Sequence, residues 1–179
     1  MSATMVMACG GGSDDQGADV PDGWKVTEQP GFSFAHPADW KISTRTAQSS
    51  ARGAERVTEA TFPGQPAGIS VVIGTTLKFG KRFDDLVALN AADTATSMPQ
   101  NRKLSTSKPE VSGAKDTQLI EYEIPPNAPL GSTSTPTRAF DLIALSKNGD
   151  AVNLFARVPA GQPDSAKTIR EIVATLKLK

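Results

Sequence analysis

The sequence predicts an α+β fold, an antiparallel β-sheet sandwiched by helices. Three observations carry that reading. Between Thr137 and Lys179, two runs rich in Ile, Val, Leu and Phe flank Asn148-Gly149. Such a pair supplies the positive φ of a type I′ turn at little steric cost, so the stretch reads as a β-hairpin. Next, Ile169, Ile172, Val173 and Leu176 fall at i, i+3, i+4 and i+7, one apolar stripe on a helix that needs a sheet to lie on. Lastly, a second helical stretch, 83–98, sits between runs with strand character.

In chain order, the first 23 residues read as a tether. Cys9 is followed by Gly-Gly-Gly-Ser-Asp-Asp and then by a polar, turn-prone run to Gly23, a composition that does not build a core. Val6-Met7-Ala8-Cys9 resembles the lipobox of bacterial lipoproteins, whose cysteine receives diacylglycerol. That resemblance implies lipidation of Cys9 and a membrane anchor. Eight residues cannot hold a charged region and a 7–15-residue apolar region, so the expectation is a native start upstream of Met1.

Residues 24–179 read as a single domain, of a length that buries roughly 70% of its unfolded-chain surface. WKVTE, GFSFAH and WKISTRT read as short strands, with Phe32 and Phe34 alternating with Ser33 and Ala35. His36-Pro37-Ala38-Asp39-Trp40 reads as a turn, because Pro37 disfavours helix at His36 and sets its own φ. Residues 46–55 are small and polar and read as a surface loop. Strands are expected over 56–62 and 68–78, with Ile69, Val71 and Ile73 on one face and Val72 on the other. The helix over 83–98 carries Asp84 and Asp85 in its first turn, at the positive end of its dipole. Its expected buried face is Phe83, Leu86, Val87 and Ala91, and Pro99 ends it. Further strands are expected over 104–111 and 117–124. In the latter, Leu119, Glu121 and Glu123 oppose Ile120, Tyr122 and Ile124. The final helix starts at Pro163-Asp164, with Asp164 or Ser165 as the expected cap.

GFSFAHPADWKIS resembles the opening of PsbP-like proteins, whose first strands run approximately Phe-x-Phe-x-x-Pro-x-x-Trp. As a pattern the resemblance extends over about Phe32 to Leu178, through a central helix, antiparallel strands and a last helix ending in Thr-Leu-Lys-Leu. It implies a PsbP-like α/β/α sandwich, and actinobacterial surface lipoproteins of that fold, the mycobacterial LpqN-type group included, as the relatives. Function does not follow from such a scaffold, which hosts many.

Nineteen basic and nineteen acidic residues leave no net field, and no Lys/Arg block stands out, which argues against nucleic acid as a partner. A lone cysteine excludes an intrachain disulfide. His36 is the sole histidine, so every His-based mechanism must pass through it, and no Gly-x-Ser-x-Gly elbow accompanies it. It reads as a strand-end residue. No metal-ligand spacing, EF-hand or phosphate loop is present, so neither a metal nor a cofactor is expected. Glu121 and Glu123 share a strand face, which reads as a solvent face and not as an acid/base pair.

The expectation is therefore a non-enzymatic, extracytoplasmic lipoprotein whose domain binds or scaffolds protein partners or an envelope ligand. The alternative is a carrier or sensor of a small apolar ligand held between sheet and helix. Two places are candidates for contact. Pro125, Pro126, Pro129, Leu130 and Pro136 belong to a connection of about 12 residues, long enough to suspect function. Trp24 and Trp40 offer large aromatic contact area.

Overall fold

The computed structural model of the chain describes residues 19–49, 53–63, 70–76, 82–97, 100–128 and 134–179. Its elements run β1 (Trp24–Gln29), β2 (Phe32–Pro37), β3 (Lys41–Ser49), β4 (Gly53–Thr61), β5 (Ser70–Thr76), α1 (Phe83–Ser97), β6 (Arg102–Ser107), β7 (Ala114–Ile124), β8 (Thr137–Ser146), β9 (Ala151–Pro159), α2 (Pro163–Thr175) and β10 (Lys177–Leu178). A seven-stranded sheet has the order β3-β4-β5-β9-β8-β7-β6, antiparallel throughout. A small sheet, β1-β2-β10, is separate from it.

Strand alternation sorts the large sheet into two covered faces. Phe140, Leu142 and Ala144 of β8, with Val152, Leu154, Ala156 and Val158 of β9, point to one side. There they meet Ala166, Ile169, Ile172 and Val173 of α2 and Phe32 and Phe34 of the small sheet. Ile143 and Leu145 of β8 and Ala151 of β9 point to the other side, where Leu86 of α1 packs on them. The α+β fold with helices on both sheet faces is thus the one the sequence predicts. Val71 and Ile73 are fully buried on the α2 side and Val72 is half-buried opposite, while Ile69 lies outside the described residues.

Several local expectations are corrected. The β8–β9 hairpin forms, but Asn148 does not adopt positive φ; Gly149 does, at 83°. Gly149 N–H donates to Ser146 O at 3.2 Å, and Ser146 Oγ accepts from Asn148 N–H and Asp150 N–H. That longer loop, stabilised by the serine, replaces the two-residue type I′ turn. Residues 46–55 are not simply a loop, since β3 and β4 pair from Lys41–Thr61 out to Ser49–Gly53. A ladder needs only backbone partners, so small polar side chains do not prevent it.

The cap of α2 is neither Asp164 nor Ser165. Pro163 occupies the start of the helix, where its missing N–H is no loss, and Gln162 precedes it without a side-chain capping bond. The helix ends at Thr175, whose hydroxyl donates to Ile172 O and accepts from Ala35 N–H of β2. Leu176 is extended, and Lys177 and Leu178 then pair with Ser33 and Phe32. β6 is shorter than expected and exposed along its whole length.

Candidate binding face beneath the first helix

The α1 side of the sheet is where polar chemistry collects. β8 alternates, so Asp141 and Ile143 face α1 between the inward-facing Phe140, Leu142 and Ala144, and Asp141 is the charged one of the two. It is 2% exposed. Burying a carboxylate is costly unless it is hydrogen-bonded, and among the described residues Asn90, Thr94 and Asn153 supply bonds. Asn90 Nδ2 and Thr94 Oγ1 of α1 both donate to Asp141 Oδ2, the latter at 3.4 Å. Asn153 Nδ2 of β9 lies 3.0 Å from Asp141 Oδ1 and also within reach of Asn90 Oδ1 at 3.2 Å and Leu142 O at 3.3 Å. Tyr122 of β7 completes the group. Burial pushes its phenol pKa up, the Asp141 charge adds to that, and the bond with Thr94 partly opposes it.

This cluster explains the packing of α1. Among its described residues the buried ones, at i, i+4 and i+8, are Leu86, Asn90 and Thr94, one apolar and two polar. Ala91, expected in the buried face, is exposed. Apolar periodicity placed the helix and its Phe83, Leu86 and Val87 contact correctly; past that turn the contact runs through Asn90 and Thr94 and not Ala91, because the sheet presents a carboxylate there.

Beside the cluster lies a small apolar patch that the Pro-rich connection helps to cover. Ala128 packs with Ile120, Tyr122, Ile124 and Ala139, and Phe155 of β9 adds to them. The chain reverses there through Asn127, at φ 61°, which asparagine tolerates better than most residues. Phe155 and Arg157 are both half-buried, with the guanidinium carbon 6.0 Å from the ring centroid. Burial lowers the Arg157 pKa. The face thus has a buried polar centre under α1 and, next to it on the central strand β9, a half-buried aromatic–cation pair.

The other candidates are placed as follows. Cys9, Pro129 and Leu130 lie outside the described residues. Pro125 is half-buried, whereas Pro126 and Pro136 are exposed, and Pro136 O accepts from Ala160 N–H at 2.9 Å. Trp40 is buried with its ring 4.0 Å from that of Phe62, so its indole belongs to the core. Trp24 is half-buried against the same core. The described candidates are therefore on different elements, with Trp24 in β1, Trp40 just before β3, Pro125 and Pro126 just after β7, and Pro136 just before β8.

His36 is buried inside β2, and both ring nitrogens are engaged. Nδ1 donates to Pro37 O at 2.8 Å, which leaves Nε2 to accept from Thr27 Oγ1 at 2.9 Å. Glu121 is not on a solvent face. Arg170 of α2 grips it through both oxygens, at 3.1 and 2.9 Å, while Glu123 pairs with Arg102 at 3.0 Å.

Two open grooves lie away from this face. One, of about 720 Å³, runs by the C-terminus between Glu28, Glu110, Gly113, Lys147 and Lys177. The other, of about 310 Å³, lies along α2 between Pro109, Leu119, Glu121 and Val173. Among the described residues no group of three His, Cys, Asp or Glu side chains is arranged to hold a metal ion, and no helix is long and apolar enough to cross a membrane.

Asp141, Asn90 and Asn153 escaped the sequence reading. One signal was available: Asp141 is the sole ionisable residue in the run Ala139–Ser146, which an inner strand must bury. The convergence of Asn90 and Asn153 on it is a property of the tertiary structure.

The fold is shared with solved structures at low sequence identity. The solution structure of cyanobacterial PsbP (CyanoP) from Synechocystis matches with 11% identity and a TM-score of 0.58, over 97% of this chain and 99% of that one. The crystal structure of LpqN, involved in cell envelope biogenesis of Mycobacterium tuberculosis, matches with 13% identity and a TM-score of 0.52, over 87% of this chain and 90% of that one. These likenesses show a PsbP-like fold. No protein-family model matches the chain, and no curated protein matches it significantly.

Proposed function

We propose that the chain is a non-catalytic binding or scaffolding domain of the cell envelope, held at the membrane by a lipid on Cys9. It presents the α1 face, around Ala128, Phe155 and Arg157, to a protein partner or an envelope ligand. The observation that carries the binding role is the seating of Ala128 on the sheet beside half-buried Phe155 and Arg157. A rigid sheet supports the connection there, and beside Ala128 it carries a half-buried aromatic ring and guanidinium on β9, residue types over-represented in protein contacts.

The address draws support from the lipobox-like Val6–Cys9 and from a fold shared with LpqN, a protein of envelope biogenesis. The non-catalytic part rests on how the buried ionisable groups are used. His36 has both nitrogens bonded within the small sheet, and Asp141 has both oxygens bonded by Asn90, Thr94 and Asn153. The alternative, a carrier of a small apolar ligand between sheet and helix, draws less support. On the α2 side that space is taken by Phe140, Leu142, Leu154, Ile169 and Ile172, all fully buried.

Two experiments test the reading. A photo-crosslinking amino acid is placed at Phe155 or, as control, at Lys167 on the outer side of α2, in a chain expressed with an upstream leader in an actinobacterial host. Discrete adducts from the envelope fraction are expected at the first position only, and identical adduct patterns at both would remove the α1 face from consideration. Metabolic palmitate labelling of the same chain and its Cys9→Ala variant tests the anchor. Label is expected in the former alone, and no label in either sinks the lipid anchor.

A further inference from the structure

A helix held by apolar side chains and one held by polar side chains come off a sheet differently, because water replaces hydrogen bonds but not apolar contact. α2 is of the first kind, with Ala166, Ile169, Ile172 and Val173 buried in the main core. α1 is of the second. Among its described residues Leu86, Asn90 and Thr94 are buried, and Asn90 and Thr94 both donate to a single oxygen, Asp141 Oδ2. Leu86 is fully engaged, and Phe83 and Val87 add only half-buried contact.

We propose that α1 is a separately opening unit of this fold, latched by the Asp141 carboxylate and able to leave the sheet while the α2 side stays folded. When α1 lifts, Asp141 Oδ1 keeps its bond from Asn153, and Oδ2 exchanges two protein donors for water. A charged group regains hydration at the moment its latch breaks, which offsets much of the loss. On the α2 side separation would chiefly wet the apolar surface of Ala166, Ile169, Ile172 and Val173, and it would also break the Arg170–Glu121 pair and the Ala35–Thr175 bond. Among the described residues the groups facing Asp141 are Asn90 and Thr94 from α1, Asn153 from β9 and Tyr122 from β7, so opening bares a carboxylate, an amide and a phenol together. Ile143 and Leu145 are uncovered beside them. Opening is thus the route by which solvent or a ligand reaches a centre that the closed fold seals. The inference stands on this interface alone and is independent of the envelope reading.

Native-state hydrogen exchange on the full chain at neutral pH tests it. Amides in the middle of α1, around Leu86–Thr94, are expected to exchange at least about 100-fold faster than those around Ile169–Val173, as for a sub-global opening. Asn90→Ala removes one charge-assisted donor and is expected to speed α1 exchange about tenfold while leaving α2 within about twofold. Equal protection of the two helices in the unmodified chain, or equal acceleration of both in Asn90→Ala, overturns the proposal. Either result would mean that α1 leaves only by global unfolding. If Asn90→Ala does not fold, Thr94→Val, which loses the longer bond, serves for the same comparison.

Discussion

A Cβ atom on Gly113 would lie 2.1 Å from the carbonyl oxygen of Leu178. The C-terminal strand passes that close because it is bonded on both sides. Leu178 N–H donates to Ser112 O at 2.8 Å, and Lys179 N–H donates to Gly31 O at 3.0 Å. Gly113 also holds φ at 76°, a region where other residues are strained. The last residues of the chain are thereby stitched to the turn before β7 as well as to the small sheet.

Gly113→Ala therefore combines a backbone clash with an unfavourable φ. A loss of about 2–4 kcal/mol is expected, from the scale of backbone strain and overpacking. Thermal melts would read it as a clear drop in Tm, with near-UV circular dichroism reporting whether the strap detaches. A melt superposing on the parent would mean that the C-terminal strand does not dock here.

Ile172 tests the α2 side of the core. It is fully buried at the centre of the helix stripe, so Ile172→Ala is expected to cost about 2–5 kcal/mol through lost burial and a cavity. Lys167 has a side chain 75% exposed and only a loose pair with Glu171 at 3.7 Å, so Lys167→Ala should stay within about ±0.5 kcal/mol. Urea midpoints separate the two, and equal midpoints would show the helix rotated from its described position.

Tyr122 is the sole tyrosine, so the tyrosinate absorbance of the whole chain reports one site. Its folded pKa is raised above 10.0 by burial, then by the Asp141 charge. A raised pKa means that the folded state holds its proton more tightly than the unfolded chain. The associated stability is complete below about pH 10 and is lost as pH rises through the folded pKa. The titration midpoint is expected above 10 in buffer and near 10 in urea, with unfolding free energy falling across that interval. Coincident midpoints in the two solvents would contradict the buried placement of the phenol.

The Arg170–Glu121 pair joins α2 to β7 through two oxygens, and the guanidinium also lies 5.5 Å from the Phe140 ring centroid. Lysine reproduces the charge without the fork or the flat stacking surface. Arg170→Lys is expected to cost about 0.5–1 kcal/mol, modest because the arginine is about half exposed and screened. A double-mutant cycle with Glu121→Gln should show coupling that shrinks with added salt. A salt-independent coupling would assign the effect to packing on Phe140 instead.

By itself the sequence determined the class of this protein and the identity of most elements. The periodicity of Ile169, Ile172 and Val173 specified which face of α2 is buried, and the alternation of Leu119 to Ile124 sorted β7 onto two faces. Such patterns are legible because burial is dominated by apolar surface and local geometry sets its period. Strand order, the separate small sheet and the docking of Leu178 on Ser112 were decided by tertiary structure, since they join residues far apart in the chain. The same holds for the face under α1. Asp141, Asn90 and Asn153 lie on three elements, and hydrogen bonds that satisfy a buried carboxylate depend on distance and direction, which leave no periodic trace in a sequence.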